Sequence, residues 1–502
     1  MRIWFAGSTC DLEQSMDRKA PFPLGVLLLD LSFCTSRLRK QRLFALAYLL
    51  FVVAFGHAQT ELDDFIVERM NIHHISGLSA CLVQDGDVLW YRNFGLANRE
   101  AQTPVDTNTI FLLASVSKTI TGTALMQLYE DGHFELDDPI NNVLPFDVLH
   151  PAHPDVAITF RQVLTHTSGI RDNWNLLPYY DGDAPVALGD FLFDYLSEAG
   201  DDYNAAQNFY NYAPGTDANY CNVAVALCGY LVEVIAEQPF NEYCNEHIFE
   251  PLCMEHTGWF LSEVDQSLIA RPYSFLGGNY LDNGLYGYAD YPDGQLRTTS
   301  LALARFMYAH MNDGHFDGYQ MLEPETVSLM RSQVVSDIDP TQGIIFYYYL
   351  ENGQQWWGHS GGDAGVSTSM YFNEANDLGL IILTNSDGNH SSIWNGILEY
   401  VDQMLPELAA PVACDISIPV QTTDIELPQV AIFPNPATDY LTLSIGVPLA
   451  EGMVEIHDLM GKRVATMPLA RSIQVSDLPA GAYQLRVISS EVVTQGAVFL
   501  KR

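Results

Sequence analysis

Two pairs of strand-like segments lie at opposite ends of one long stretch, and bringing them together limits the fold more than any other feature. Residues 76–98, SGLSACLVQDGDVLWYRNFGLAN, read as two strands joined by the turn residues Asp85, Gly86 and Asp87. Residues 367–388, STSMYFNEANDLGLIILTNSDG, read as two more strands around a turn, and SSIWNGILEYVDQML then makes an amphipathic helix. Strands at the two ends of a domain commonly pair in one sheet, with the intervening helical region packed beside it. Residues 59–408 are therefore expected to form one α/β (α+β) unit, an antiparallel sheet flanked by helices plus a mostly helical region.

The flanks differ in character. RLRKQRLFALAYLLFVVAFGHAQ places Arg37, Arg39, Lys40 and Arg42 before the apolar run Leu43 to Phe55 and the small-residue site Gly56-His57-Ala58. That order is a secretory signal, and the run is short for a membrane span. Residues 1–58 are read as an over-extended start followed by this signal. Residues 409–428 are rich in Pro, Thr and Ala without helical period and read as a linker. Residues 429–502 carry short alternating segments between Pro-Asn-Pro, Gly-Lys and Pro-Ala-Gly turns, the pattern of a small β-sandwich. Their motifs are Pro434-Asn435-Pro436, Asp439, Asp458, Gly461-Lys462, Leu478-Pro479-Ala480-Gly481, Tyr483 and Lys501-Arg502. On these the tail resembles the C-terminal sorting domain of the type IX secretion system of Bacteroidetes. The resemblance implies the type IX machinery as a partner, and passage through periplasm and outer membrane to a secreted or surface-attached form.

Charge removes one class of partner. The chain carries 23 Lys+Arg and 62 Asp+Glu; residues 1–58 hold 7 and 4 of these, which leaves 16 basic against 58 acidic residues beyond. Such a surface repels phosphate, so nucleic acid is not an expected partner. Six cysteines lie beyond residue 58 (Cys81, Cys221, Cys228, Cys244, Cys253 and Cys414) and none forms a C-x-x-C pair, which argues against a zinc site. Cys244 and Cys253 are close enough in sequence to bridge in an exported protein, though spacing alone does not decide it.

Within FLLASVSKTI, residues 111–120, Ser115 and Lys118 stand three apart at the start of a helix expected to run toward Gly132. On a helix such residues share a face. A serine is a poor nucleophile until something takes its proton. A lysine of ordinary pKa, ~10.4, cannot do so, but burial can lower it by several units. A neutral Lys118 would then accept the Ser115 proton, and free N–H groups at the helix start would stabilise an oxyanion. Ser-x-x-Lys by itself fits an N-cap serine and a lysine reaching for solvent equally well. Two further elements add weight. Tyr220-Cys221-Asn222 lies in APGTDANYCNVAVALCGYLVE, a turn-rich loop entering an apolar helix, where phenol and amide can face one pocket. WWGHSGGDAGVSTSMYF brings His359-Ser360-Gly361 to the start of a strand whose glycines allow close backbone approach.

These S-x-x-K, Y-x-N and His-x-Gly elements, in that order, resemble the serine β-lactamase and penicillin-binding-protein-like family. The similarity is to the branch of class C β-lactamases, D-Ala-D-Ala carboxypeptidases and esterases, where many members carry His-x-Gly in place of Lys-Thr-Gly. FLLASVSKTITGTALMQLYEDGHFELDDPINNVLP, ITFRQVLTHTSGI, FEPLCMEHTGW, RTTSLALARFMYAHMNDG and GHSGGDAGVS agree with it, over most of residues 75–400. The resemblance implies a β-lactamase/transpeptidase-like fold and a serine hydrolase that needs no cofactor or metal. It gives Ser115 as acylated nucleophile, and Lys118 and Tyr220 as the pair sharing base and acid work. Asn222 would orient substrate or Lys118, and His359 would line the pocket from the sheet edge beside Gly361. The backbone N–H groups of Ser115 and Gly362 would form the oxyanion hole. The substrate would be a D-amino-acid peptide, cell-wall peptide, ester or β-lactam. Histidine at 359 lacks the fixed charge of a lysine for a substrate carboxylate, which counts against efficient β-lactam hydrolysis. His166, in LTHTSG, is expected to be buried and structural. The aromatic loops around 171–215 and 270–295 are the candidates for selecting substrate.

Two rivals remain. Gly358-His359-Ser360-Gly361-Gly362 formally fits the G-x-S-x-G elbow of α/β-hydrolases, with Ser360 as nucleophile and Asp387 and His390 downstream. That elbow needs a helix after the serine, and here DAGVSTSMYFN reads as strand. A non-catalytic surface-binding protein on the same fold is the second, and the presence of Ser115, Lys118 and Tyr220 weighs against it.

Overall fold

The structure is a computed structural model. It describes residues 61–351 and 353–408, and seven strands between Val430 and Lys501 with a few residues beside them. The signal at 37–58, the linker at 409–428 and Cys414 lie outside the described residues. Contacts divide the chain into Met1–Ile66 and Val67–Arg502. The described part of the first unit, residues 61–66, is helical, and everything below belongs to the second.

The distant strand pairs do meet. β1 (Gly77–Gln84) and β2 (Asp87–Asn98) form a hairpin whose two turn residues, Asp85 and Gly86, have φ of 51° and 87°. A tight hairpin asks for this left-handed backbone, which glycine adopts freely and Asp tolerates. Adding β3 (Thr103–Pro104), β4 (Tyr347–Glu351), β5 (Gln354–Asp363), β6 (Val366–Asn373) and β7 (Leu378–Thr384) gives a seven-stranded sheet in the order β4-β5-β6-β7-β1-β2-β3. Every neighbouring pair in it is antiparallel. β1 and β7 join the two ends of the domain in the register Leu78↔Thr384 to Gln84↔Leu378. All seven residues of β7 and seven of the eight in β1 are buried, so both faces of the sheet centre are covered.

The helical middle centres on α1 (Ser117–Glu130), buried from Ser117 through Leu128 on every side. A helix buried all round must satisfy its own polar groups. Its threonines do this by hydroxyl donation: Thr119 Oγ1 to Val116 O at 2.8 Å and Thr123 Oγ1 to Thr119 O at 2.8 Å. Thr121 Oγ1 donates to Pro292 O at 2.6 Å and pins a distant turn onto α1. α2 (Asn222–Ala236) packs on α1, and α3 (Ser300–Met311) packs on the sheet. α4 (Ser391–Leu408) is the C-terminal helix read from the sequence. One apolar cluster unites the sheet with α1, α2 and α3, with side chains such as Phe111 and Ile120 fully buried, each contributing roughly 1.5–3 kcal/mol.

The tail forms two antiparallel sheets. The first holds Val430–Phe433, Tyr440–Ile445 and Ser472–Gln474; the second holds Met453–Asp458, Arg463–Pro468, Gly481–Ile488 and Ala497–Lys501. Leu441 and Ile473 from one sheet and Val454, Ile456 and Leu485 from the other share a core, which makes the expected sandwich. The cysteines Cys81, Cys221, Cys228, Cys244 and Cys253 are all free, so the open question of a Cys244–Cys253 bridge is answered in the negative.

Candidate active site

Ser115 sits in a short 3-10 turn, Ala114–Val116, that feeds directly into α1; the helix proper starts at Ser117, two residues later than the periodicity suggests. The residue before it, Ala114, is buried with φ of 49°, a left-handed conformation costly for a residue with a Cβ. The turn is clamped from three sides. Leu113 N donates to Leu296 O at 2.8 Å, Thr368 Oγ1 on β6 donates to Leu113 O at 2.6 Å, and Leu296 N donates to Ser117 Oγ at 3.2 Å. Gly361 on β5 is part of the same clamp. A Cβ there would overlap Thr368 Oγ1 and Leu113 O and stand 3.1 Å from the Ser115 nitrogen, so only glycine fits.

Lys118 is 0% exposed and does not reach for solvent. Its Nζ donates to Ser115 Oγ at 3.0 Å, to the Asp293 carbonyl at 2.6 Å and to Asp293 Oδ2 at 3.3 Å. The Tyr220 ring lies 5.0 Å away. Burial alone pulls the ammonium down, but Asp293, Tyr220 and Asp172 reverse this and hold it above its ordinary value. The expectation of a neutral lysine is thereby overturned: desolvation is present, but so is a carboxylate the sequence did not point to. Asp293 is itself raised to about 6, by burial against the pull of Lys118 and with Asp172 and Asp363 adding to the rise.

Tyr220 is 46% exposed as a whole, yet its hydroxyl is buried and feels both Lys118 and Ser115. Burial of that hydroxyl raises its pKa and the Lys118 charge opposes the rise. His166 supports the ring from behind at 4.6 Å and accepts from Cys221 N at 3.2 Å. It is buried and driven to about 3, the structural histidine read from LTHTSG.

Asn222 opens α2, whose N-cap is Cys221, and lines the pocket in front of Ser115. Its amide donates to Asp172 Oδ2 at 3.0 Å. Asp172 also accepts from Asn222 N and Val223 N at 3.0 and 3.1 Å, placing a carboxylate on the helix N-terminus. Nothing in the sequence singled Asp172 out.

His359 lies well inside β5 rather than at its start. β4 begins opposite Gly358, so residues 359–363 pair with β6 on one side and have no strand on the other, where Ser360 N donates to the Tyr347 hydroxyl at 3.1 Å. His359 itself is 2% exposed, under the rings of Tyr220 (6.1 Å) and Tyr347 (4.9 Å), and backs Tyr220 instead of forming the pocket wall. Burial and Lys118 drive it to about 3, so it is neutral. Gly362 does line the pocket, and a Cβ there would meet open space. The remaining wall comes from both aromatic loops: Trp174 and Tyr179 from the first, Tyr288, Asp290 and Asp293 from the second, with Asp363 at the end of β5.

Ser360 has none of the surroundings of a nucleophile elbow. Strand β6 follows it rather than a helix, and its Oγ pairs with the Tyr347 hydroxyl at 2.6 Å. His390 bonds Ser367 and Ser369 instead.

Comparison with known proteins agrees with this geometry. The family model "Beta-lactamase" matches residues 62–395, and the model "Secretion system C-terminal sorting domain" matches residues 431–500. Penicillin-binding protein 4 of Amycolatopsis lactamdurans is 26% identical over 375 residues, 71% of this chain and 93% of the relative. A penicillin-binding protein from Bacillus halodurans superposes with a TM-score of 0.55 at 21% identity, over 66% of this chain and 98% of that one. A D-amino acid amidase from Ochrobactrum anthropi SV3 does so with 0.56 at 19%, over 69% and 99%. The chain belongs to the β-lactamase family and ends in a type IX secretion sorting domain.

Proposed function

We propose that the domain is an exported serine hydrolase acting on an amide or ester through an acyl-Ser115 intermediate. The observation that carries this reading is Lys118: fully buried and 3.0 Å from the hydroxyl of Ser115, with the Tyr220 ring 5.0 Å from its Nζ. Ser115 Oγ attacks the carbonyl carbon and its proton passes into the Tyr220–Lys118 pair. The Lys118 ammonium favours the minor fraction of Tyr220 that is phenolate, and that phenolate is the acceptor, so acylation quickens as the pH rises. The oxyanion is held by the N–H groups of Ser115 and Gly362. Tyr220 returns the proton to the leaving amine or alcohol, and water then repeats the sequence to release the acid. Asn222 meets the substrate from the mouth of α2, and the open edge at 359–363 offers backbone groups to an extended substrate.

A neutral His359 offers no cation to a substrate carboxylate, which favours peptide amides and esters over β-lactams. The sorting domain indicates type IX secretion and a secreted or cell-surface location. Export through the periplasm and outer membrane, with the type IX machinery engaging the tail, completes the reading. The test is labelling with a fluorophosphonate followed by mass mapping of the modified peptide. A tag on Ser115 that is absent from Ser115→Ala and slowed in Tyr220→Phe supports it; a tag on Ser360 refutes it.

A further inference from the structure

We propose that the pocket beside Ser115 takes substrates bearing an ammonium group, held among Asp290, Asp293 and Asp363, and rejects substrates with a carboxylate at that place. The proposal rests on the acyl-serine reading above and deepens it. All three carboxylates line the pocket together with Ser115. Asp290 and Asp293 are 5% and 7% exposed, and the cation that each of the three senses is the same Lys118.

Lys118 cannot neutralise them all. An ammonium has three N–H donors, and those of Lys118 go to Ser115 Oγ, Asp293 O and Asp293 Oδ2. Asp293 Oδ1 is left buried without a partner. A buried carboxylate oxygen in that state costs free energy until a donor reaches it. Asp363 is already tied on one oxygen, by the Tyr179 hydroxyl at 2.6 Å and Ala364 N at 2.7 Å, and so is fixed in place. The crowding is felt chemically: burial and mutual repulsion raise Asp290, and burial raises Asp363. A ligand cation relieves both the unpaired oxygen and the excess negative charge, where a neutral donor relieves only the first.

The class of cation follows from the surroundings. Among the described residues no group of His, Cys, Asp and Glu side chains converges as a metal site. Trp174, Tyr179 and Tyr288 supply aromatic faces, which attract organic ammonium groups. The excess of 58 acidic over 16 basic residues beyond residue 58 adds a long-range field that draws cations and repels anions.

The test uses the full chain and three probes of one shape: benzylammonium, benzyl alcohol and benzoate. Each is titrated as a protectant of Ser115 against a fluorophosphonate at pH 8, and its direct binding is followed by calorimetry. Benzylammonium is expected to protect at a concentration at least ~10-fold below benzyl alcohol, with benzoate weaker still and 1 M salt narrowing the gap. Asp290→Asn/Asp363→Asn should bring the three within about threefold of one another. Should that pair fail to fold, Asp363→Asn at the pocket rim should narrow the gap alone. Equal protection by the three, stronger protection by benzoate, or no binding of benzylammonium overturns the proposal. Labelling that misses Ser115 sinks the hydrolase reading instead, while calorimetry still decides the pocket.

Discussion

Removing the Asp293 carboxylate tests what sets the protonation of Lys118. The Nζ–Oδ2 separation is 3.3 Å and both groups are buried. At an effective dielectric of ~20, two unit charges at that distance attract by about 5 kcal/mol, or ~3.7 pKa units. The whole of this will not appear, because Lys118 keeps the Asp293 carbonyl and the Tyr220 ring, and water can relax into the pocket. A net fall of roughly 2 units in Asp293→Asn is the expectation. The assay is the rate of fluorophosphonate labelling at Ser115 between pH 5.5 and 10. In the native protein Lys118 stays charged and Tyr220 is raised, so the rate climbs into the alkaline range. In Asp293→Asn burial acts on Lys118 unopposed by its closest carboxylate. The lysine then gives up its proton at a lower pH than in the native protein, and the rising limb moves to lower pH by ~2 units. A folded variant whose limb stays within about half a unit of the native one would refute the argument, as would an upward shift.

Four further outcomes follow from the same coordinates. Gly361→Ala should cost roughly 1–3 kcal/mol in stability and slow Ser115 labelling by about tenfold or more, because its Cβ overlaps the clamp on the nucleophile turn. Gly362→Ala, whose Cβ meets open space, should leave the melting temperature unchanged; an equal drop in both would contradict the clamp. Asp172→Ala strips four hydrogen bonds from the start of α2 and should lower stability by roughly 1–3 kcal/mol in denaturant titration, with a loss of nothing counting against the cap. Acid should also unfold the protein early. His166, His310 and His359 are held near pKa 3 and His390 near 4, against ~6.5 unfolded, so the unfolded chain binds more protons between those values. Stability is then full above pH ~6.5 and falls toward pH 4 at up to ~1.4 kcal/mol per pH unit for each histidine. The raised Asp293 works in the opposite sense and trims the slope. A denaturation midpoint that is flat from pH 7 to 5 would contradict this.

What the sequence disclosed and what it hid divide along physical lines. The sheet was legible because strand periodicity and the Asp85-Gly86 turn are local properties, and because the chain has few ways to cover strands buried on both faces. That Ser115, Lys118 and Tyr220 would come together was legible because three motifs in one order resemble those of a known family, while the spacing of each motif alone left its bland reading standing. The charge on Lys118 was not, because it depends on Asp293, 175 residues away in sequence. What brings Asp293 there is Thr121 on α1 bonding Pro292 O, a contact with no signature in either segment. The place of Asp172 was hidden for the same reason: an acid that caps a helix fifty residues downstream looks like any loop aspartate. A third case is His359, given a place in the pocket by the family resemblance; five earlier positions of β5 are paired to β4, and its ring lies under those of Tyr220 and Tyr347. In each case the missing quantity is a long-range pairing that changes a local electrostatic balance. Burial by itself would have made Lys118 a neutral base. Burial beside Asp293 holds it above its ordinary value, which is why the proposed mechanism gives the proton-accepting role to Tyr220, and it leaves Asp293 Oδ1 buried without a partner.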